Sequence, residues 1–334
     1  MNNSPNRKAN PFKSPIASQI ERFLHFKRAA GYRYCEEERE LLVLDRFFVS
    51  QLTAHNPIIT DKIIRAYLAE SRNNSDTTRA NRLSILRQLC CFIEMEEPRT
   101  FIPPSRFLGI HRKPFVPRIL TRVEGREFIK ACLCYPNGRC SPLRGVVHGT
   151  ALMLLYLTGM RVGEVLSLNL EDVDLQNGVL RIRQSKFGKS RFIPMAQDIT
   201  DRMQQCRLFV DRFLGIRRPD DCFFPGPKGA RCTKSALLYS FRKVLADANI
   251  PYLGTGKGPR LHDLRHSFAV HRMLLWYEQR ADLGAKLPLL ATYLGHVNLS
   301  SSQYYLRLTE DLLSEVTSHY QARFGNLIEE RRTK

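Results

Sequence analysis

The chain has 334 residues, with 52 Lys and Arg against 32 Asp and Glu, a formal net charge of +20. A hydrophobic fraction of 43% suffices to bury a real core in two or three domains, and a pI near 9.9 points to a polyanionic partner, nucleic acid before membrane. No apolar run reaches the roughly 18 residues of a membrane span, and "MNNSPNRKANPFKSP" lacks the apolar stretch of a signal peptide, so a reducing, cytoplasmic setting is expected, with the nine cysteines mostly free thiols.

Residues 1–15 are polar and rich in Pro and Asn, the composition of a flexible tail. Residues 16–113 read as a basic helical bundle. Ile16, Ile20, Phe23 and Leu24 fall at helical spacing before a stop at Gly31. A second helix runs through Leu41, Leu44, Phe47 and Phe48, and a third covers "DKIIRAYLAESR". A fourth starts at an expected Asp76 cap and buries Leu83, Leu86, Leu89, Cys90 and Ile93. Arg79, Arg82 and Arg87 point elsewhere, toward solvent or toward a phosphate backbone.

Residues 97–118 carry five prolines and several basic residues, as a semi-rigid strap would. The domain boundary is expected near Pro114–Pro117, with 114–118 as linker and 119–334 as a second domain. That domain opens with a helix over Arg122–Cys134. Next, "VVHGTALMLLYLTG" reads as a buried core helix ending at Gly159, and "RVGEVLSL" restarts a helix. "GVLRIRQ" and "SRFIPM" alternate as strands around "SKFGK", a β-hairpin with Gly188 in its turn. Further helices are predicted over Asp198–Phe213, Lys234–Ala248, Leu261–Tyr277 and Leu287–Leu294, and from Ser300 onward. The fold class is mainly α with a small β-hairpin or sheet, α+β. Cys132, Cys134 and Cys140 cluster without the spacing of a zinc site, and no metal or cofactor is expected.

Several residues could carry chemistry. His262 and Arg265 lie three apart, on one helical face, where an imidazole beside a guanidinium would receive a phosphate; a surface His near an Arg is the plainer reading. Arg161 follows a Thr158–Gly159 turn, with Glu164 close enough to orient it or simply to pair with it. Lys186 sits in the hairpin turn, either solvated or able to dip into a groove and protonate a leaving oxygen. "LGHVNLSSSQYY" supplies His296 and two tyrosines, Tyr304 and Tyr305. Adjacent helical residues point about 100° apart and cannot share a role. A tyrosine, with a pKa of about 10, needs cationic surroundings to act as a nucleophile.

The order Arg161, hairpin Lys186, His262-x-x-Arg265, Leu294-Gly295-His296 and a following tyrosine resembles the tyrosine recombinase (phage integrase) family, a resemblance that covers about residues 118–314. The resemblance implies a helical core-binding (SAM-like) domain and a catalytic domain forming a C-shaped clamp on double-stranded DNA. It implies Tyr305 as nucleophile, nine residues after His296, with Tyr304 packed inward. Arg161 and Arg265 would clamp the phosphate, with a hydrogen bond from His296; His262 would accept the tyrosine proton and Lys186 would protonate the leaving 5′ oxygen. Such enzymes exchange strands through a Holliday junction in a homo-tetramer, here in a bacterial cytoplasm at the nucleoid, with accessory proteins in some systems. The tail from Glu315 to Lys334 carries Val316, Tyr320, Phe324 and Leu327 at helical spacing, for docking on a neighbouring subunit or on its own domain. The long "WYEQRADLGAKLPLL" stretch before His296 looks like recombinases of transposons and other mobile elements. The competing readings are a type IB topoisomerase, which relaxes supercoils without exchanging partners, and a DNA-binding protein without turnover.

Overall fold

The computed structural model describes residues 11–32, 34–109, 116–183, 190–254 and 258–295. The chain divides into two compact units, Met1–Phe115 and Val116–Lys334.

The first unit packs α1 (Ala17–Ala29), α2 (Cys35–Gln51), α3 (Asp61–Glu70) and α4 (Asp76–Glu94) around one apolar core. Each helix turns its periodic stripe inward: Ile20, Phe23 and Leu24 from α1, Leu41, Leu44, Phe47 and Phe48 from α2, and Leu83, Leu86, Leu89, Cys90 and Ile93 from α4. The α4 cap is Ser75 and not Asp76: the Ser75 side chain accepts from the Thr78 backbone N–H, and Asp76 is the first helical residue. Residues 11–16 pack rather than trail away. Phe12 and Ile16 are buried, and the buried Asp45 carboxylate accepts from the backbone N–H groups of Lys13 and Ser14 at 2.7 and 3.0 Å. The α4 arginines bond within the unit. Arg82 donates to Glu40 at 2.8 Å and to Ser71 at 3.0 Å, Arg87 donates to the Pro103 carbonyl at 3.2 Å, and Arg79 pairs with Asp76.

The second unit is built on α6 (Arg144–Thr158), twelve of whose fifteen residues are buried. It is preceded by α5 (Arg122–Cys134), which opens on a capping box between Thr121 and Glu124. The two helices meet closely because Gly145 and Gly149 lack side chains. A Cβ on Gly149 would stand 2.2 Å from the Cys132 carbonyl oxygen. α6 also carries a buried polar chain: the His148 ring bonds Ser240 at 2.6 Å and Cys232 at 3.2 Å, and Tyr135 donates to Ser240 at 3.1 Å. Burial pushes His148 down to about 4, with the Arg144 charge acting the same way.

After α6 come the short α7 (Val162–Ser167) and an antiparallel sheet of β1 (Val173–Asp174), β2 (Val179–Ile182) and β3 (Arg191–Pro194), in that order. β1 is an addition to the predicted hairpin; two residues are too few to show alternation. In the β2–β3 register Leu180 faces Ile193 and Ile182 faces Arg191. Gly188 and the hairpin turn lie outside the described residues. The remaining helices are α8 (Gln197–Leu214), α9 (Lys234–Asp247), α10 (Leu261–Glu278) and α11 (Leu283–Leu294). α11 starts four residues before the predicted Leu287, with Asp282 as its cap and Pro288 inside it. α10 and α11 share an apolar cluster of Ala269, Val270, Met273, Leu287, Leu290 and Leu294. Among the described residues no helix is long and apolar enough to cross a membrane.

Candidate active site

The site forms where α6, α10, β3 and the end of α11 converge. α6 stops at Gly159, whose φ of +63° is left-handed and whose missing Cβ leaves room for Phe268, 2.5 Å from where it would stand. The chain then turns extended at Arg161, the residue that caps α7. Arg161 is held by Glu164 at both its backbone N–H and its Nη1, each at 2.9 Å, while Nη2 donates to the Gly295 carbonyl at 2.9 Å. About a third of its side chain, 32%, remains open to solvent.

Arg265 is of another kind. It lies in the first half of α10 and is only 2% exposed, the largest of the fully buried side chains among the described residues. Its Nη1 donates to the Gly159 carbonyl at 2.9 Å and its Nη2 to the Leu294 carbonyl at 2.7 Å. A third guanidinium completes the pattern: Arg191 Nε donates to the Tyr293 carbonyl at 2.8 Å. Three arginines from three elements thus take three consecutive carbonyls, those of Tyr293, Leu294 and Gly295. The last carbonyls of a helix have no partner within it and form the negative end of its dipole, so cations gather there. Two guanidinium groups, those of Arg161 and Arg191, share the one carboxylate of Glu164, which leaves a local excess of positive charge there, the setting for a bound anion.

Protonation states follow from this arrangement. Burial alone would push the Glu164 carboxyl up. Hydrogen bonds from Arg191 and from the Arg161 backbone, together with both guanidinium charges, outweigh burial and hold it below the ordinary carboxylate range. His262 is solvent-exposed on one side and crowded by protein on the other. That crowding and the Arg265 and Arg260 charges lower its pKa, so at neutral pH the imidazole is neutral and able to accept a proton. Its ring lies 4.8 Å from that of His266, edge to face, and burial takes His266 down to about 4.

Of the residues singled out in the sequence, Arg161, His262 and Arg265 come together here, Arg161 and Arg265 at the same helix end. The plainer reading of this pair, a surface His near an Arg, fits the exposed side of His262 but not the burial of Arg265. Lys186, His296, Tyr304 and Tyr305 lie outside the described residues, as does the tail from Glu315, but two of their attachment points are fixed: Lys186 belongs to the loop joining β2 to β3, and His296 follows Gly295 directly. Sequence reasoning missed Arg191. Its one readable signal was position: a charged residue on the same strand face as buried Ile193, opposite buried Ile182. Cys132 is buried while Cys134 and Cys140 are exposed, and no group of three metal-ligating side chains occurs among the described residues.

The sequence pattern of the phage integrase family matches residues 134–311. A putative integrase/recombinase of Sinorhizobium fredii, y4rE, is 35% identical over 300 residues, covering 90% of this chain and 94% of that protein. The tyrosine recombinase XerD of Vibrio cholerae is 29% identical over 265 residues, covering 78% of this chain and 79% of that one. Among solved structures, the XerH site-specific recombinase in a post-cleavage complex with its palindromic difH substrate aligns with a TM-score of 0.62 at 18% identity, over 96% of this chain and 100% of that one. The Tn1549 transposon integrase in complex with circular intermediate DNA aligns with a TM-score of 0.58 at 18% identity, over 86% and 94%. Both structures share the mainly helical fold with its small sheet.

Proposed function

The chain belongs to the phage integrase family and is a tyrosine-type site-specific recombinase, and from that premise we propose that Tyr305 cuts double-stranded DNA by attacking the scissile phosphate. The Tyr305 Oη–P bond forms as the P–O5′ bond breaks. The tyrosine proton passes to His262, whose lowered pKa keeps it neutral and receptive. The departing 5′ oxygen takes a proton from Lys186. Arg161 and Arg265 bind the non-bridging oxygens, on which charge builds in the transition state, and His296 adds a hydrogen bond. The 3′-phosphotyrosyl link retains the energy of the phosphodiester, so a 5′ hydroxyl from a partner duplex reverses the step without ATP. Two rounds of exchange through a Holliday junction, in a tetramer on paired sites, recombine two duplexes. The +20 net charge supports DNA as the partner. The 31 positions from Arg265 to His296 and the relatives named integrase/recombinase support a mobile-element role, integration, excision or transposition.

The observation that carries the reading is the buried Arg265, 2% exposed, set against the same helix end as Arg161. A permanent charge is costly to bury unless something needs it there. The test is covalent capture. The protein is incubated with nicked duplexes from the DNA flanking its gene, and any SDS-resistant adduct is mapped by mass spectrometry. Attachment at Tyr305, abolished in Tyr305→Phe and kept in Tyr304→Phe, is the expected result. Attachment at Tyr304 would move the nucleophile by one residue. Tight binding with no adduct on any fragment would refute the cleavage chemistry.

A further inference from the structure

Arg161 and Arg191 bridge the same two supports side by side. Arg161 reaches from Glu164 to the Gly295 carbonyl and Arg191 from Glu164 to the Tyr293 carbonyl, so both join α7 to the end of α11. They differ in what they leave open. Arg191 is 12% exposed, and each of its three nitrogens is bonded to protein: Nη1 and Nη2 to the two oxygens of Glu164 at 3.0 and 2.8 Å, Nε to the Tyr293 carbonyl at 2.8 Å. Arg161 keeps about a third of its side chain in solvent, where a ligand can reach it. Among the described residues, the Glu164 carboxylate is held by two bonds from Arg191 and one from the Arg161 backbone N–H, besides the Arg161 side chain that it serves. The terminal torsion of a glutamate is broad, so one backbone bond would leave the carboxylate free to turn; the added fork stops it. Only a planar fork can serve a carboxylate bidentately while its third nitrogen reaches a carbonyl; an ammonium cannot. Room is made for it at Gly295, where φ is +69° and a Cβ would stand 2.9 Å from Arg191 Nη1.

We infer that Arg191 is a positioning residue of the phosphate clamp: it fixes both supports of Arg161, the Glu164 carboxylate and the end of α11, and so sets the Arg161 guanidinium in place before DNA arrives. The inference rests on the recombinase reading above, in which Arg161 binds a non-bridging oxygen of the scissile phosphate. Arg191 acting this way touches no substrate. Its loss leaves Arg161 present and charged but loosely seated.

The test is a double-mutant cycle on the rate of covalent attachment to a nicked duplex that captures the wild type, run with R191K, R161K and the double variant R191K/R161K. All three keep every charge, so their DNA binding, read by fluorescence anisotropy, should match the wild type. R191K alone is expected to attach roughly 10- to 100-fold more slowly, the cost of displacing a clamping group by about an ångström. In the R161K background the seat has lost its occupant, and adding R191K should cost less than about threefold. A direct phosphate contact by Arg191, or a purely structural role that lowers the folded fraction, would instead multiply the R161K loss. R191Q, with one N–H donor group and no charge, goes through the same cycle, and melting curves confine the comparison to variants folded at the assay temperature. Multiplied losses would overturn the inference, as would an R191K that attaches at the wild-type rate. An R161K that attaches at the wild-type rate would remove Arg161 from the clamp and this inference with it, while leaving the recombinase reading standing. A wild-type protein that attaches to no fragment would bring down the recombinase reading itself.

Discussion

Glu164→Gln is the sharpest test of the arginine cluster's energetics. The carboxylate is 10% exposed and accepts four hydrogen bonds, two from Arg161 and two from Arg191. A glutamine has one acceptor oxygen, and its amide N–H groups would face the Arg191 guanidinium donor to donor. At least two charge-assisted bonds are lost, each worth about 1.5 kcal/mol or more, which gives roughly 3 kcal/mol. Removing one partner of a buried pair costs about 3–5 kcal/mol. The low end applies, because Arg161 is 32% exposed and can resolvate, whereas Arg191, at 12%, cannot. For a unit of this size, about 3 kcal/mol lowers Tm by roughly 6–12 °C. Thermal unfolding of the full-length protein, followed by circular dichroism, reads it. Glu164 titrates below its ordinary 4.5 when folded. Its contribution is therefore complete above pH 4.5 and drains away as pH falls through the folded value. The gap between wild type and variant should be widest at neutral pH and close in acid. A shift below about 2 °C at pH 7, the size expected of a surface ion pair, would refute the reasoning.

Arg265→Ala should slow adduct formation by about 100-fold or more while leaving most DNA binding, as loss of one preorganised donor set does; an unchanged cleavage rate would remove Arg265 from the phosphate clamp. Gly149→Ala should destabilise the second unit by about 3 kcal/mol in chemical denaturation, since its Cβ would meet the Cys132 carbonyl at 2.2 Å and neither backbone can yield cheaply. An effect under about 1 kcal/mol would mean that α5 and α6 can part. His148 titrates at about 4 when folded against 6.5 when free, so its neutral form contributes stability that is complete above pH 6.5 and lost as pH falls toward 4. The stability of the wild type relative to His148→Gln should therefore drop by about 2 kcal/mol between pH 7 and pH 5, and a difference that stays constant over that range would place the buried polar chain's titration elsewhere.

The helices were legible because their signal is local. Repeats of apolar residues at helical spacing put Leu83, Leu86, Leu89, Cys90 and Ile93 in one core, and an unbroken apolar run made α6 a buried helix with Gly159 as its stop. Where neighbouring residues offered the same chemistry the reading slipped by one, as at Ser75 and Asp76, because only backbone geometry decides which side chain reaches the free N–H. Pro288 hid the first turn of α11: a sequence reading puts a proline in the opening turn of a helix and so starts this one at Leu287, whereas the Asp282 cap starts it at Leu283.

The site was legible only as an ordered set. Taken singly, Arg161, Lys186 and the His262–Arg265 pair each resemble surface residues, and nothing near Arg265 in sequence marks it as buried. What buries it lies 29 residues away at Leu294; Arg161 finds Gly295 across 134 positions, and Arg191 finds Tyr293 across 102. All three are drawn to one feature, the carbonyl end of α11, which carries only about half an elementary charge. A helix end that collects arginines fixes the guanidinium groups in place through bonds to its last carbonyls. That arrangement is a property of elements meeting in space, which is why Arg191, the one member with no motif around it, could be found only in the fold.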